Sequence, residues 1–375
     1  MKLKCFVIMC VFFPLLVNGK TPVKEKGGIV ISNVKPIARL TGKSLPTDTF
    51  PNPNNTAGDF DVYGTDLGIM WKMKGNRIGL FFGDTNGEGF VAGKGGGNGS
   101  NWRSNVLAFS KDTRLDDGLT IDAMLLDEEG KAREICAGGK SNPEKYQTSI
   151  PTSAIRAGGI DCVHYMNIYD WGAPNGRWLT NFSSVYASSD DGKTWNRRSE
   201  VTFGPDSHFS QVAYAKKDGM IYMIGTQSGR GDDAYLARFS EKDILDMSKY
   251  EYWNGKRKEW IKGDEKAATP VIPGPVGEAS LMYHKKYDKW IITYNYDYAY
   301  DKAANRKGHA IMYRDADDIT KWGEMKVLLS DKDYKGLYCA FMHPLKDKGD
   351  KLYFLMSLWG PYNVFLMSGD LHENP

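Results

Sequence analysis

Asp66, in "YGTDLG", opens an apolar strand, and Asp84, in "RIGLFFGDTNGEGF" (residues 77 to 90), closes the next one. In an antiparallel pair the end of one strand lies beside the start of the other, so the two acids are expected as neighbours. Paired carboxyls are the apparatus of glycoside hydrolysis, in which one protonates the leaving oxygen and the other activates water or attacks carbon. Burial near aromatics also drives their pKa values apart, leaving one protonated and one ionised near neutrality. Asp84 has a competing reading as a turn-former, since Thr85, Asn86 and Gly87 follow it. A third acid, Glu278 in "GPVGEAS", stands at the head of another strand.

Around these acids the chain carries groups suited to a sugar. Trp71, Trp102, Tyr338, Trp359 and Tyr362 offer flat apolar faces, and Arg103, Asn105, Gln211, Arg230 and Asn363 offer hydrogen bonds to hydroxyls. Other chemistries lack parts. The glycine-rich "GKGGGNGS" (93 to 100) has neither the Lys-Ser/Thr nor the strand–helix setting of a phosphate loop, and reads as a flexible loop at the channel mouth with lid potential. The six histidines show no metal-binding spacing, and no cofactor is expected. His208 and His284 could touch substrate or cap turns.

The elements that must position such a site come from a repeat. "RIGLFFGDT", "GIDCVHYMNIYDW", "DGMIYMIGTQSG", "DKWIITYNYD" and "DKLYFLMSLW" are each a turn followed by an apolar strand. Each has a strand before it that begins with polar or small residues, and one after it that ends near an Asp. This pattern predicts an all-β, five-bladed β-propeller with blades near 59–147, 148–205, 206–270, 271–334 and 335–371. The segment at 28–40 is expected to supply an outer strand that closes the ring. First strands line the channel, which puts Asp66, Thr152, Ser153, Gln211, Glu278 and Tyr338 at one mouth. "SSDDGKTW" (188 to 195) matches an Asp-box turn, whose role is structural.

The chain has 375 residues, 41% of them hydrophobic, with 41 glycines and 21 tyrosines, which favours a turn-rich β protein with a large core. Lys2 and Lys4 followed by an apolar run from Cys5 to Val17 read as a signal peptide over residues 1–19, too short to span a bilayer. The rest, 20–375, is expected to be a single catalytic domain without a transmembrane segment, secreted or periplasmic. Losing the two lysines takes the formal charge from +3 to +1, which gives no case for nucleic acid as a partner. Three cysteines remain, an odd number, so the fold must stand on its core.

"DVYGTDLGIMW", "FFGDT", "NWRSNVLAFS", "WLTNFSSVYASSDDGKTW", "GEASLMY" and "GLYCAFMHP" together resemble the former domain-of-unknown-function family 4185, now placed among endo-D-arabinanases as glycoside hydrolase family 183. The resemblance runs from about residue 35 to the C-terminus. It implies a five-bladed propeller that cuts the α-linked D-arabinofuranose backbone of mycobacterial arabinogalactan and lipoarabinomannan, with a lean toward inversion. By analogy with other five-bladed furanosidases, which use three channel carboxylates, it makes Asp66, Asp84 and Glu278 the catalytic set. The expected partner is an arabinan-type polysaccharide or oligosaccharide. Two alternatives stay open: a non-catalytic glycan-binding propeller, and a glycosidase for another furanoside or a sialoside. The last would need an arginine triad that the channel positions do not supply.

Overall fold

The computed structural model describes residues 27–137, 146–301, 303–305 and 307–374; the expected signal peptide lies outside them. Among the described residues, no helix is long and apolar enough to cross a membrane. Strand β1 (Ile29–Arg39) comes first and joins the sheet formed last. Blade one contains β2 (Leu67–Lys72), β3 (Ile78–Phe82), β4 (Val106–Ser110) and β5 (Ala123–Met124). Blade two contains β6 (Thr148–Ala157), β7 (Ile160–Asp170), β8 (Leu179–Ser188) and β9 (Asn196–Phe203). Blade three contains β10 (Gln211–Lys217), β11 (Met220–Thr226), β12 (Asp232–Ser240), β13 (Glu251–Asn254), β14 (Glu259–Lys262) and β15 (Ile272–Val276). Blade four contains β16 (Ala279–His284), β17 (Lys289–Asp297), β18 (His309–Ala316) and β19 (Lys326–Ser330). Blade five contains β20 (Leu337–Met342), β21 (Lys351–Leu358) and β22 (Asn363–Glu373), with β1 hydrogen-bonded to β22.

The five antiparallel sheets form a ring, the propeller that the repeat predicts, and β2, β6, β10, β16 and β20 neighbour one another around the channel. One boundary differs from the expectation. β15, read from sequence as the start of blade four, pairs instead with β12 of blade three, Asp232 opposite Val276 and Ala234 opposite Ile272. The reason is local: β13 covers only Ala237 and Arg238 of β12, leaving the first half of that edge to be capped by β15.

Each blade is covered on both faces by its neighbours, which is why a strand such as β17 (KWIITYNYD) is buried along its whole length. Five apolar clusters result, each centred on one blade-to-blade interface. One packs Phe209 against Phe203 and Tyr252 between blades two and three. Another packs Leu80 and Phe82 with Leu355 and Leu366 between blades one and five. Cys136, Cys162 and Cys339 are buried as free thiols within this packing.

Candidate active site at one mouth of the channel

Asp66 immediately precedes β2, and Asp84 follows β3 by one glycine. Their strands are tied at this end by Gly83 N–H donating to the Asp66 carbonyl (3.1 Å) and by a 2.7 Å hydrogen bond between the Thr65 and Thr85 hydroxyls. Leu67 (φ +69°) and Gly68 (φ +85°) form a β-bulge against β3, of the kind that redirects a side chain at a strand end. Leu67 N–H is held by Ser357 Oγ (2.9 Å). A Cβ on Gly83 would overlap Asp66 Oδ1, so only glycine lets this carboxyl lie over the end of β3.

The Tyr338 hydroxyl donates to Asp66 Oδ2 (3.0 Å), while Asp66 Oδ1 is buried without a partner among the described residues. Burial, and next the charge of Asp84, push Asp66 up to about 8; hydrogen bonds from Tyr338 and Tyr362 oppose them. Asp84 Oδ1 accepts from Thr148 Oγ1 (2.6 Å). Burial pushes Asp84 up to about 7, against hydrogen bonds from Thr148 and Trp102. Both carboxyls thus keep their protons to unusually high pH, and because the charge of Asp84 acts on Asp66 they titrate as a coupled pair. With one proton between them, the pair offers one carboxyl donor and one carboxylate acceptor.

Glu278 faces them from blade four. Burial raises its pKa, but the charge and hydrogen bonds of Arg230 outweigh this and hold it below the usual range, as an anion. Asp66, Asp84 and Glu278 line one cavity of about 710 Å³ together with Gln211, Arg230, Tyr338 and Trp359. Tryptophans stand on two sides of it. Trp171 and Trp178 meet edge to face (5.1 Å) on blade two, and Trp359 meets Tyr362 edge to face (5.6 Å) on blade five. Trp171 keeps 40% and Trp359 55% of its surface exposed, which is unusual for such large apolar groups. The glycine-rich loop packs onto the second pair: a Cβ on Gly95 would meet the Trp359 indole at 2.5 Å, and one on Gly96 the Tyr362 ring at 2.7 Å. Gly96 and Gly97 thereby become part of the cavity wall.

Three residues expected to bind substrate are elsewhere, bonded to the protein itself. Arg103 clamps Asp61 through its carboxylate (3.2 Å) and carbonyl (2.8 Å). Asn105 donates to the carbonyls of Cys136 (2.8 Å) and Ser149 (2.9 Å) and accepts from Cys136 N–H (2.8 Å). Asn363 accepts from Thr41 (2.9 Å) and donates to the Pro361 carbonyl (2.9 Å). All three satisfy backbone or side-chain groups in buried loops, where an unpaired polar group is costly. Trp71 is likewise core: it stacks on Phe81 and donates to Asp161 (3.0 Å). Ser153 lines a second cavity, of about 430 Å³. His208 stacks on Tyr235 at 3.8 Å and bonds Asp232 (3.2 Å), and His284 is buried against Tyr287.

The sequence reading missed Thr148, Trp171, Trp178, Asn295 and His309. Thr148 begins an inner strand, a signal that was available; the tryptophans sit in the β7–β8 connection, where no periodicity marks them. The Asp-box turn has the expected form, Asp190 accepting from Thr194 N–H (2.9 Å) and Lys193 N–H (3.1 Å) with Gly192 at φ +86°. Among the described residues, no three His, Cys, Asp or Glu side chains cluster as a metal site.

The protein is thus an all-β ring of five blades with a buried carboxyl pair at one channel mouth. The chain belongs to the family described as Domain of unknown function (DUF4185), whose model matches residues 51–368. Notoamide biosynthesis cluster protein J of an Aspergillus species (strain MF297-2) is 25% identical over 315 residues, 80% of each chain. Notoamide biosynthesis cluster protein J' of Aspergillus versicolor is 22% identical, over 86% of this chain and 89% of its own. A crystal structure of a presumed hydrolase from Bacteroides ovatus shares the fold with TM-score 0.55 at 13% identity, covering 83% of this chain and 86% of that one.

Proposed function

We propose that this protein is a glycoside hydrolase that uses Asp66 as proton donor and Asp84 as base or nucleophile. The observation that carries this reading is the acid pair: two carboxyls on adjacent strand ends, with pKa values of about 8 and about 7, in one aromatic-walled cavity. Tyr338 orients the donor and Thr148 the acceptor. A substrate chain resting on Trp359 at one side and on Trp171 at the other would cross the blade-one acids between its ends, which favours internal cleavage. The proposed substrate is an α-linked D-arabinofuranose chain, as the resemblance implies, and the proposed setting is periplasmic or extracellular, on the leader-like start of the sequence.

Incubating the purified protein with mycobacterial arabinogalactan, beside xylan and a sialoside, tests the proposal. Arabino-oligosaccharides released from the first alone are the expected outcome. A second reading is favoured by the names of the Aspergillus relatives, which place those proteins in a biosynthesis cluster: the cavity then takes a compact small molecule. No polysaccharide would be cut in that case.

A further inference from the structure

We infer that Glu278 is a positioning residue and that Arg230 and Gln211 form a hydroxyl-binding subsite across the cavity from the acid pair, one that accepts a neutral sugar and disfavours a carboxylated one. This deepens the glycosidase reading and rests on it.

The lone pairs of Glu278 are already engaged. Oε1 accepts from Arg230 Nη2 (2.6 Å) and Nε (3.2 Å), and Oε2 accepts from Asn295 Nδ2 (2.6 Å) and Arg230 Nε (3.0 Å). Asn295 is itself fixed, since its Oδ1 accepts from Cys339 N–H (2.7 Å). A carboxylate has about four acceptor positions, so this one has little left with which to attack carbon or take a proton. Being held as an anion, it also has no proton to give.

What Glu278 does is aim Arg230. Two nitrogens of the guanidinium are committed to the carboxylate, while Nη1 enters no hydrogen bond among the described residues. A quarter (25%) of the Arg230 side chain is exposed, and the residue lines the cavity between the Trp178 and Tyr338 rings, 5.5 and 5.7 Å from their centres. Beside it lies Gln211, whose Oε1 faces Gly229 N–H at 3.5 Å, one residue before Arg230. Gln211 is only 4% exposed and its Nε2 is buried with no partner among the described residues, yet it too lines the cavity. An unsatisfied buried donor is costly unless a ligand oxygen completes it. The buried Gln211 donor and the more open Arg230 Nη1, on residues that line the same cavity, fit oxygens of one sugar.

Charge then selects among sugars. Arg230 and Glu278 cancel, so once the acid pair has given up one proton the site carries a net negative charge. His309 at the rim has its Nδ1 3.5 Å from Asp297 Oδ2. A uronate or sialate would meet uncompensated repulsion in a partly desolvated site, whereas a neutral sugar would not.

The test uses the full chain and splits KM from kcat. Glu278→Gln and Gln211→Leu are each expected to raise KM for arabinogalactan roughly tenfold or more, with kcat within a few-fold of wild type and both limbs of the pH profile in place. Loss of a pH limb in Glu278→Gln, a kcat loss of roughly 10²–10⁴-fold, or its rescue by azide would make Glu278 catalytic and overturn the assignment. Gln211→Leu leaves the ion pair intact, so it decides the matter if the Glu278 variant fails to fold; unchanged KM there also overturns the subsite. Calorimetry on Asp66→Asn protein with arabino-oligosaccharides and oligogalacturonides separates this from the broader reading. Binding of the neutral ligand alone, weakened by Gln211→Leu, supports the subsite. Equal binding of both sugars, or binding indifferent to Gln211→Leu, removes the subsite and leaves the glycosidase standing. No sugar binding at all removes both.

Discussion

Tyr338, at the start of blade five's inner strand, donates its hydroxyl to Asp66 Oδ2 at the start of blade one's, across 3.0 Å. The two are neighbours only because the ring closes, and the contact adjusts the acid. The hydrogen bond favours the ionised form, so it lowers an Asp66 pKa that burial and Asp84 have raised to about 8. Tyr338→Phe should move the alkaline limb of the kcat/KM profile to higher pH, with peak activity within about tenfold of wild type. A limb that stays put or moves to lower pH would take Asp66 out of the role of proton donor.

Asp66 and Asp84 are expected to act as one unit. Asp66→Asn and Asp84→Asn should each reduce kcat by roughly 10²–10⁴-fold, and the double variant should be little worse than either single. Multiplicative losses, or most of the rate surviving in Asp84→Asn, would return Asp84 to the turn-former reading.

The same pair costs stability, with a definite pH dependence. Both folded-state pKa values lie above the ordinary 3.8, so the native protein holds protons that the unfolded chain has already released. Their contribution is fully present below about pH 4 and is lost as pH rises through about 7 for Asp84 and about 8 for Asp66. Melting curves of Asp66→Asn should therefore show a Tm above wild type at pH 8 by a few degrees, a gap that closes toward pH 4. A gap that is constant with pH would contradict the raised values.

Asp190 offers a contrast. Its carboxylate ties the Asp-box turn through Thr194 and Lys193, and that turn seats Trp195 edge-on against Trp71 and Phe81 between blades one and two. Asp190→Ala should lower Tm by ~2–5 °C and leave kcat of the folded protein unchanged. Loss of turnover without loss of Tm would show that the turn takes part in the chemistry.

Blade order, the closing strand and the juxtaposition of Asp66 with Asp84 were legible because they follow from local signals: apolar strands, turn residues and antiparallel adjacency. Arg103, Asn105 and Asn363 were misread because a polar residue next to a strand looks the same in sequence whether it faces a cavity or staples a buried loop. Only the partners, Asp61, Cys136 and Thr41, separate the two cases. Trp171 and Trp178 escaped because their loop is irregular, and β15 because its pairing depends on how far β13 extends.

The pairing of β1 with β22 has a bearing on how the chain reaches this state. Ile29 lies opposite Glu373 and Arg39 opposite Phe365, so the last ladder joins segments from the two ends of the chain. A contact of such high order forms late and slowly. During synthesis, β1 must wait as an unpaired edge until the final blade has emerged, and a chain cut short before β22 would leave apolar sheet edges open to association. Folding yield, more than equilibrium stability, should be the property most sensitive to truncation at the C-terminus.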